Sequence, residues 1–210
     1  MKNFNLTMIN KTHWYDGWFY DIFIAPNQDR LFSLIKNLIK PNSTVIDVGC
    51  GTGRFSFSVA DKCKFILGID LSSKNIEKAN TNLKKNLVDN ISFLHSNISE
   101  IISKNFHFDY AVMTYVIHEV NEEERLKLIT DLSMIANKII IGDYLVPKSA
   151  GFWSTLNDVV EFAAGKEHFR NYKNYVQNGG LKYLAEKTSL KIIKEIKNKP
   201  LTSHIIVLTK

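Results

Sequence analysis

"STVIDVGCGTGRFSFSVA", residues 43–60, passes from a β-branched run through an acid, Asp47, into glycines at 49, 51 and 53, and at once into a helix-like pattern. Strand, tight turn and helix in that order open a parallel sheet, and the turn lies where such sheets bind ligands. Glycine there permits positive φ and lets a ligand touch backbone that a Cβ would block. The spacing is G-x-G-x-G, with Arg54 where a dinucleotide fingerprint has its last glycine, and no Gly-Lys-Ser/Thr closes a phosphate loop. Asp47, two residues ahead of Gly49, would repel a phosphate and suits a positive group. The loop points to a nucleoside carrying cationic groups.

Outward from this loop the same rhythm repeats. Residues 44–49 read as a strand, 54–63 as a helix, 64–70 as a strand and 73–87 as an amphipathic helix with Ser72 or Ser73 as its N-cap. Strands follow over 90–96 and 108–115, then a helix over 121–135 that opens on acids suited to its N-terminal dipole, then a strand over 137–145. The runs 190–198 and 202–210, joined by Lys199-Pro200, are too close for a crossover and should pair as an antiparallel hairpin. The expected fold is α/β, a Rossmann-like doubly wound sheet of seven strands with a C-terminal antiparallel hairpin, an N-terminal helical cap and an inserted lid after strand five. We expect one domain over 1–210, divided into a cap (1–40), a cofactor-binding core (41–147), a lid (148–175) and a last helix with the hairpin (176–210).

Bulk properties agree. The chain has 210 residues, 45% hydrophobic and 23% charged, the balance of a globular domain with one sizeable core. Its longest apolar runs are too short to span a bilayer, and the N-terminus lacks the apolar core of a secretory signal, so a cytoplasmic setting without membrane insertion is expected. Cys50 and Cys63 make no disulfide framework and no Cys/His metal spacing. The net charge of +6 comes from lysines scattered along the chain, whereas a polyanion site would gather them, and this disfavours nucleic acid as partner.

Nineteen residues past Gly51, Asp70 ends the second strand, where a carboxylate can accept from both hydroxyls of a ribose. At the end of the third strand, Asn97 offers an amide for a purine edge and Ile98 an apolar side chain for its face. Taken together, "VIDVGCGTGRF", "GIDLS", "HSNIS" and "FDYAVMTYVIHEV" resemble the class I S-adenosylmethionine-dependent methyltransferases, especially the small-molecule enzymes of the ubiquinone and menaquinone biosynthesis group. The resemblance covers residues 40–145 and implies S-adenosyl-L-methionine as cofactor, S-adenosyl-L-homocysteine as product and a small-molecule methyl acceptor as partner. It implies that Asp47 and the backbone at Gly49, Cys50, Gly51 and Gly53 hold the methionine part, with Asp70 on the ribose and Leu71 against adenine. Asn97 and Ile98 would flank the base, and Thr114 and Tyr115 would close the pocket. The family more often has aspartate where this chain has Asn97.

Acceptor-side candidates follow. His118, past the fourth strand, is a candidate general base, and Glu119 a candidate for lining the acceptor site, against a plain role opening the next helix. In the resembling family N-terminal segments fold over cofactor and acceptor, which makes Tyr20 a catalytic candidate and Tyr15 and Trp18 substrate contacts. Trp153, His168 and Arg170 in the long excursion after strand five are further substrate contacts, since such excursions tend to be functional lids. No metal is expected: the acids that a catechol-type site needs are lacking except Asp143. An RNA methyltransferase and a non-catalytic cofactor-binding protein are the rival readings.

Overall fold

A computed structural model describes the backbone of residues 25–149 and 152–210, and the side chains of 28–149 and 155–210. Its centre is a seven-stranded sheet in the order β3-β2-β1-β4-β5-β7-β6. The strands are β1 (Ser43–Val48), β2 (Cys63–Asp70), β3 (Ile91–His95), β4 (Phe108–Thr114), β5 (Ala136–Tyr144), β6 (Lys191–Asn198) and β7 (Ser203–Thr209). β1 to β5 pair in parallel, and β7 runs antiparallel to both β5 and β6. The hairpin therefore enters the sheet with its second strand inside and its first at the edge. Chain order reverses between β1 and β4, which puts the topological switch point beside the glycine loop.

The alternation of side chains along each strand sorts the core into two faces. Val45, Tyr110, Val112 and Ile140 face helices α1 (Ala25–Leu38), α2 (Arg54–Val59) and α3 (Ser73–Asn86), with Leu31, Phe55 and Ile76 among the buried contacts. Ile46, Val48, Met113 and Ile141 face α4 (Ile98–Ser103), α5 (Glu122–Ile135), α7 (Lys166–Gln177) and α8 (Gly180–Lys187), which contribute Ile101, Ile129, Tyr175 and Leu184. By the same alternation Asp47 shares a face with Val45, whereas Asp143 shares one with Ile141. The ends of the two acids' strands thus serve opposite sides of the sheet.

Several boundaries differ from expectation for identifiable reasons. α2 stops at Val59, and residues 60–62 form a tighter 3-10 turn before Cys63 starts β2. The six residues of α4 are too short to show a helical period. α1 reads as a cap from its position in the sequence but lies as a layer helix: Leu31 and Ile35 are fully buried, and a Cβ on Gly142 of β5 would meet Leu31 at 2.7 Å. The excursion after β5 is itself helical, α6 (Phe152–Ala163) then α7, and it runs straight into α8. Tyr172 and Tyr175 of α7 are buried at 1% exposure, so this half of the expected lid is an integral layer of the fold. No described helix is long and apolar enough to cross a membrane.

Candidate active site

The glycine loop joins β1 to α2 at the switch point. Gly49, Gly51 and Gly53 all have positive φ, at 73, 55 and 87°. A Cβ at Gly49 would meet Val116 at 2.4 Å and one at Gly53 would meet the Phe93 ring at 2.5 Å, so these two let neighbouring chain close in. A Cβ at Gly51 would meet nothing within 4 Å among the described residues. Among the described residues, Gly51 is therefore the glycine of this loop whose backbone no neighbour covers at the Cβ position.

What the loop presents follows from where its donors go. The N–H groups of Gly49 and Cys50 donate to the Ile69 carbonyl at 2.8 and 3.0 Å, and that of Gly53 to the Cys50 carbonyl at 2.9 Å. The Gly51 N–H donates to Asp70 Oδ2 at 2.8 Å. With these four donors spent internally, the loop is a poor cradle for phosphate, which needs converging N–H groups. It offers carbonyl and Cα surface, which suits a positive group. Cys50 is buried beneath the loop, and burial together with Asp47 and Asp70 pushes its thiol far up, so it is no nucleophile.

Asp47 is 1% exposed. Its Oδ2 accepts from Ser56 Oγ at 2.6 Å, while Oδ1 is buried with no hydrogen-bond partner among the described residues. Burial raises its pKa from 3.8 to about 7, the Ser56 hydrogen bond offsetting part of that and Asp70 adding to it. An unsatisfied carboxylate oxygen in such a place is costly unless a cationic group completes it. Asp70 closes the loop on the far side, its Oδ1 accepting from Ser72 N–H at 2.8 Å and from Asn75 Nδ2 at 3.4 Å. Oδ1 thus accepts two bonds and Oδ2 one, which leaves Oδ2 with lone-pair capacity for a further donor. Ser72, not Ser73, caps α3 by accepting from Asn75 N–H at 3.3 Å.

The other expected cofactor contacts are placed as follows. Leu71 is 54% exposed beside Asp70. Asn97 caps α4, Oδ1 accepting from Glu100 N–H at 3.0 Å and Nδ2 donating to Glu100 Oε1 at 3.1 Å, so its amide is engaged locally. Ile98 belongs to the core with Ile101. Thr114 is half-buried at the end of β4, opposite Gly142. Tyr115 has φ 56°, and its hydroxyl donates to Ser203 Oγ at 3.0 Å. Tyr15, Trp18 and Tyr20 lie outside the described residues, as does the side chain of Trp153, whose backbone is in α6.

A second cluster stands at the carboxyl ends of β4 and β5. His118, 2% exposed, sets Nδ1 2.7 Å from Asp143 Oδ1 and Nε2 3.6 Å from Glu161 Oε2. Asp143 also accepts from the N–H groups of Ile117 at 3.1 Å and Tyr144 at 2.7 Å. Glu161, on α6, accepts from Tyr144 Oη at 2.6 Å and bonds His168 Nε2. Burial opposes charge on His118, but Asp143 and Glu161 outweigh it and raise the imidazole to about 9. Burial likewise opposes charge on Glu161, yet His118 and His168 hold its carboxyl below the usual range. Glu119 adds a half-exposed carboxylate 4.0 Å from both imidazoles. Of the expected acceptor-side residues the structure thus brings together His118, Glu119 and His168; Arg170 is exposed on α7 outside the cluster.

Sequence reasoning passed over Glu161, Tyr144 and Arg125. Glu161 had a signal, an acid within the apolar "VVEFAA". Arg125, 1% exposed, donates from Nε to the Ile117 carbonyl at 3.0 Å, from Nη2 to the His118 carbonyl at 3.3 Å and from Nη1 to Asn174 Oδ1 at 2.8 Å. It ties the loop carrying His118 to α7. An arginine four residues into a helix that opens on acids reads as surface charge, and only tertiary packing shows otherwise.

Comparison with known proteins completes the picture. Residues 39–188 match the family described as a methyltransferase domain. A probable cobalt-precorrin-6B C(15)-methyltransferase (decarboxylating) of Methanococcus maripaludis is 29% identical over 121 residues, 56% of this chain and 65% of that protein, so the chain spans less than two thirds of it. A 23S rRNA (uracil(1939)-C(5))-methyltransferase of Aliivibrio fischeri is 33% identical over 66 residues, only 31% of this chain and 15% of that one. Among solved structures, magnesium protoporphyrin IX methyltransferase from Synechocystis PCC 6803 with bound SAH matches with TM-score 0.68 at 16% identity, covering 89% of this chain and 85% of that chain. This likeness is one of fold.

Proposed function

Because this chain belongs to the class I S-adenosylmethionine-dependent methyltransferases, we propose that it moves a methyl group from that cofactor to a small-molecule acceptor. The acceptor sits at the carboxyl ends of β4 and β5, beside α6 and α7. The observation that carries the reading is Asp47, a buried carboxylate with one oxygen unpartnered among the described residues, next to a loop that bonds the N–H groups of Gly49, Cys50, Gly51 and Gly53 internally. When bound, the cofactor supplies a methyl group made electrophilic by a positively charged sulfur.

The chain's own task is to bind, align and exclude water. Asp47 takes the amino end of the methionine part, and the surface of Gly49, Cys50, Gly51 and Gly53 lies beneath it. Asp70 takes the ribose hydroxyls through Oδ2 and through Oδ1 in place of the long Asn75 contact, and Leu71 covers one side of adenine. Asn97 and Ile98 meet the base through backbone, because their side chains serve the α4 cap and the core. Thr114 and Tyr115 wall the pocket at the end of β4. On the acceptor side, His118, held between Asp143 and Glu161, orients an anionic or hydroxyl-bearing acceptor beside Glu119 and His168. Buried free thiols at Cys50 and Cys63 suit a reducing, cytoplasmic setting.

The rival RNA reading has a partial relative behind it, but Lys191, Lys194 and Lys197 are exposed on β6, at the sheet edge. That edge is three strands from β4, roughly 14 Å away, so this row of lysines lies away from the site. The test is incubation of the protein with methyl-labelled cofactor and a fractionated cell extract. Label in the small-molecule fraction, lost with Asp70→Ala, is expected. Label in the RNA fraction, weakened by salt, would overturn the acceptor class.

A further inference from the structure

Four side chains from three segments converge beside the ends of β4 and β5: His118 and Glu119 after β4, Glu161 on α6 and His168 on α7. One ligand-type atom from each of His118, Glu161 and His168 lies within 4.8 Å of the others. We infer that this cluster binds a divalent first-row transition metal ion of the zinc type, held by His118 Nε2, Glu161 and His168, with Glu119 at its open side.

The chemistry of the donors supports this. Two imidazole nitrogens and one carboxylate form a ligand set that zinc-class ions take, leaving a position for water or a substrate atom. Donors at about 2.1 Å from a tetrahedral ion stand about 3.4 Å apart. His118 Nε2 and Glu161 Oε2 are already 3.6 Å apart, and the ion would take the place of the proton now shared between Glu161 Oε2 and His168 Nε2, those two side chains moving apart to admit it. The ring centroids of the two histidines are 5.6 Å apart and their planes near perpendicular at 79°.

The surroundings are those of a supported site. His118 Nδ1 is engaged by Asp143 Oδ1 at 2.7 Å, which leaves Nε2 for the cluster and fixes the ring. Glu161 Oε1 is engaged by Tyr144 Oη at 2.6 Å, which turns Oε2, bonded to His168 Nε2, toward the same point. His118 and Glu161 are buried, at 2 and 3% exposure, whereas the Glu119 side chain is 39% exposed among the described residues. Asp143, Glu161 and Glu119 place three carboxylates around two imidazoles. Among the described residues, Arg125 is committed to the carbonyls of Ile117 and His118 and to Asn174, and Lys148 to Asp158. A divalent ion would balance that surplus of negative charge. The ligands stand at 118, 161 and 168 on different segments, so no local spacing motif could have revealed them.

The inference is independent of the methyl-transfer reading, because metal binding alone tests it. Tag-free full-length protein, stripped with a chelator, is titrated calorimetrically with Zn²⁺. We expect one ion per chain, with affinity reduced at least about 100-fold by His168→Ala and about 10-fold by Tyr144→Phe, which removes only a supporting bond. His107→Ala, at an exposed histidine bonded to Asn137, should bind as the wild type does. X-ray absorption at the zinc edge of the unaltered protein should show imidazole scattering, and it decides the matter if a variant fails to fold. Absence of stoichiometric binding, wild-type affinity in His168→Ala, or thiolate sulfur in the first coordination shell would overturn the inference.

Discussion

At the scale of single residues, the cofactor site is held in a costly state. Asp47 has its pKa raised from 3.8 to about 7, so the folded chain keeps a proton that the unfolded chain releases. Stability therefore falls as pH rises from about 4 to about 7, and above that the full penalty is present, roughly 4 kcal/mol as an upper bound. Asp47→Asn should unfold at higher denaturant than the wild type at pH 8, with the advantage shrinking toward pH 4, and should lose cofactor binding. Equal midpoints across that range would show that Asp47 is not strained. The glycines make a second test. Gly53→Ala must push a methyl into Phe93 and Phe57 and should cost about 2–4 kcal/mol in denaturant unfolding. Gly51→Ala meets open space and carries only the left-handed backbone cost of about 1–2 kcal/mol, yet it should abolish cofactor affinity by filling the ligand's place. A Gly51→Ala protein that binds cofactor normally would move the ligand off this loop.

At the scale of elements, the acceptor side is built by docking helices onto strand ends. Arg125 on α5 spends its guanidinium on the loop after β4 and on Asn174 of α7, and stacks over the Tyr175 ring at 5.5 Å. Arg125→Met keeps the apolar stem but leaves buried carbonyls unpaired, so it should cost about 3 kcal/mol and raise hydrogen exchange in α7 first. Uniform loss of protection across the sheet instead would show that α7 is not a separately docked unit. The capping of α5 is a milder case: Asn121 accepts from Glu124 N–H at 3.0 Å and donates to Glu124 Oε2 at 2.7 Å. Asn121→Ala should lower stability by about 1 kcal/mol without touching cofactor affinity, measured by paired unfolding and binding titrations.

At the scale of the whole molecule, what was legible in the sequence is what local chemistry dictates. The strands from 43 to 145 read as such because β-branched runs buried on two faces leave no other option, and the terminal hairpin followed from a connection too short for a crossover. The order of the sheet's last strands was not legible there, whereas the glycine spacing and the acids at 47 and 70 pointed to the loop as a candidate ligand site. The acceptor-side cluster was not legible either: His118, Glu161 and His168 are joined by tertiary packing across segments with no fixed offset. Asn97 shows the opposite limit, since an amide can serve a base or a helix end equally well, and only the fold shows it on Glu100. The central claim is that the loop and Asp70 hold an adenosyl cofactor with a cationic end. The most direct measurement is a calorimetric and thermal-shift titration with S-adenosylmethionine, S-adenosylhomocysteine and NAD, repeated on Asp70→Ala. Saturable binding of both adenosyl compounds is expected, with a rise in Tm of roughly 5–10 °C at one hundred times Kd, lost in Asp70→Ala. Binding of NAD alone, or of none of the three, would contradict the account.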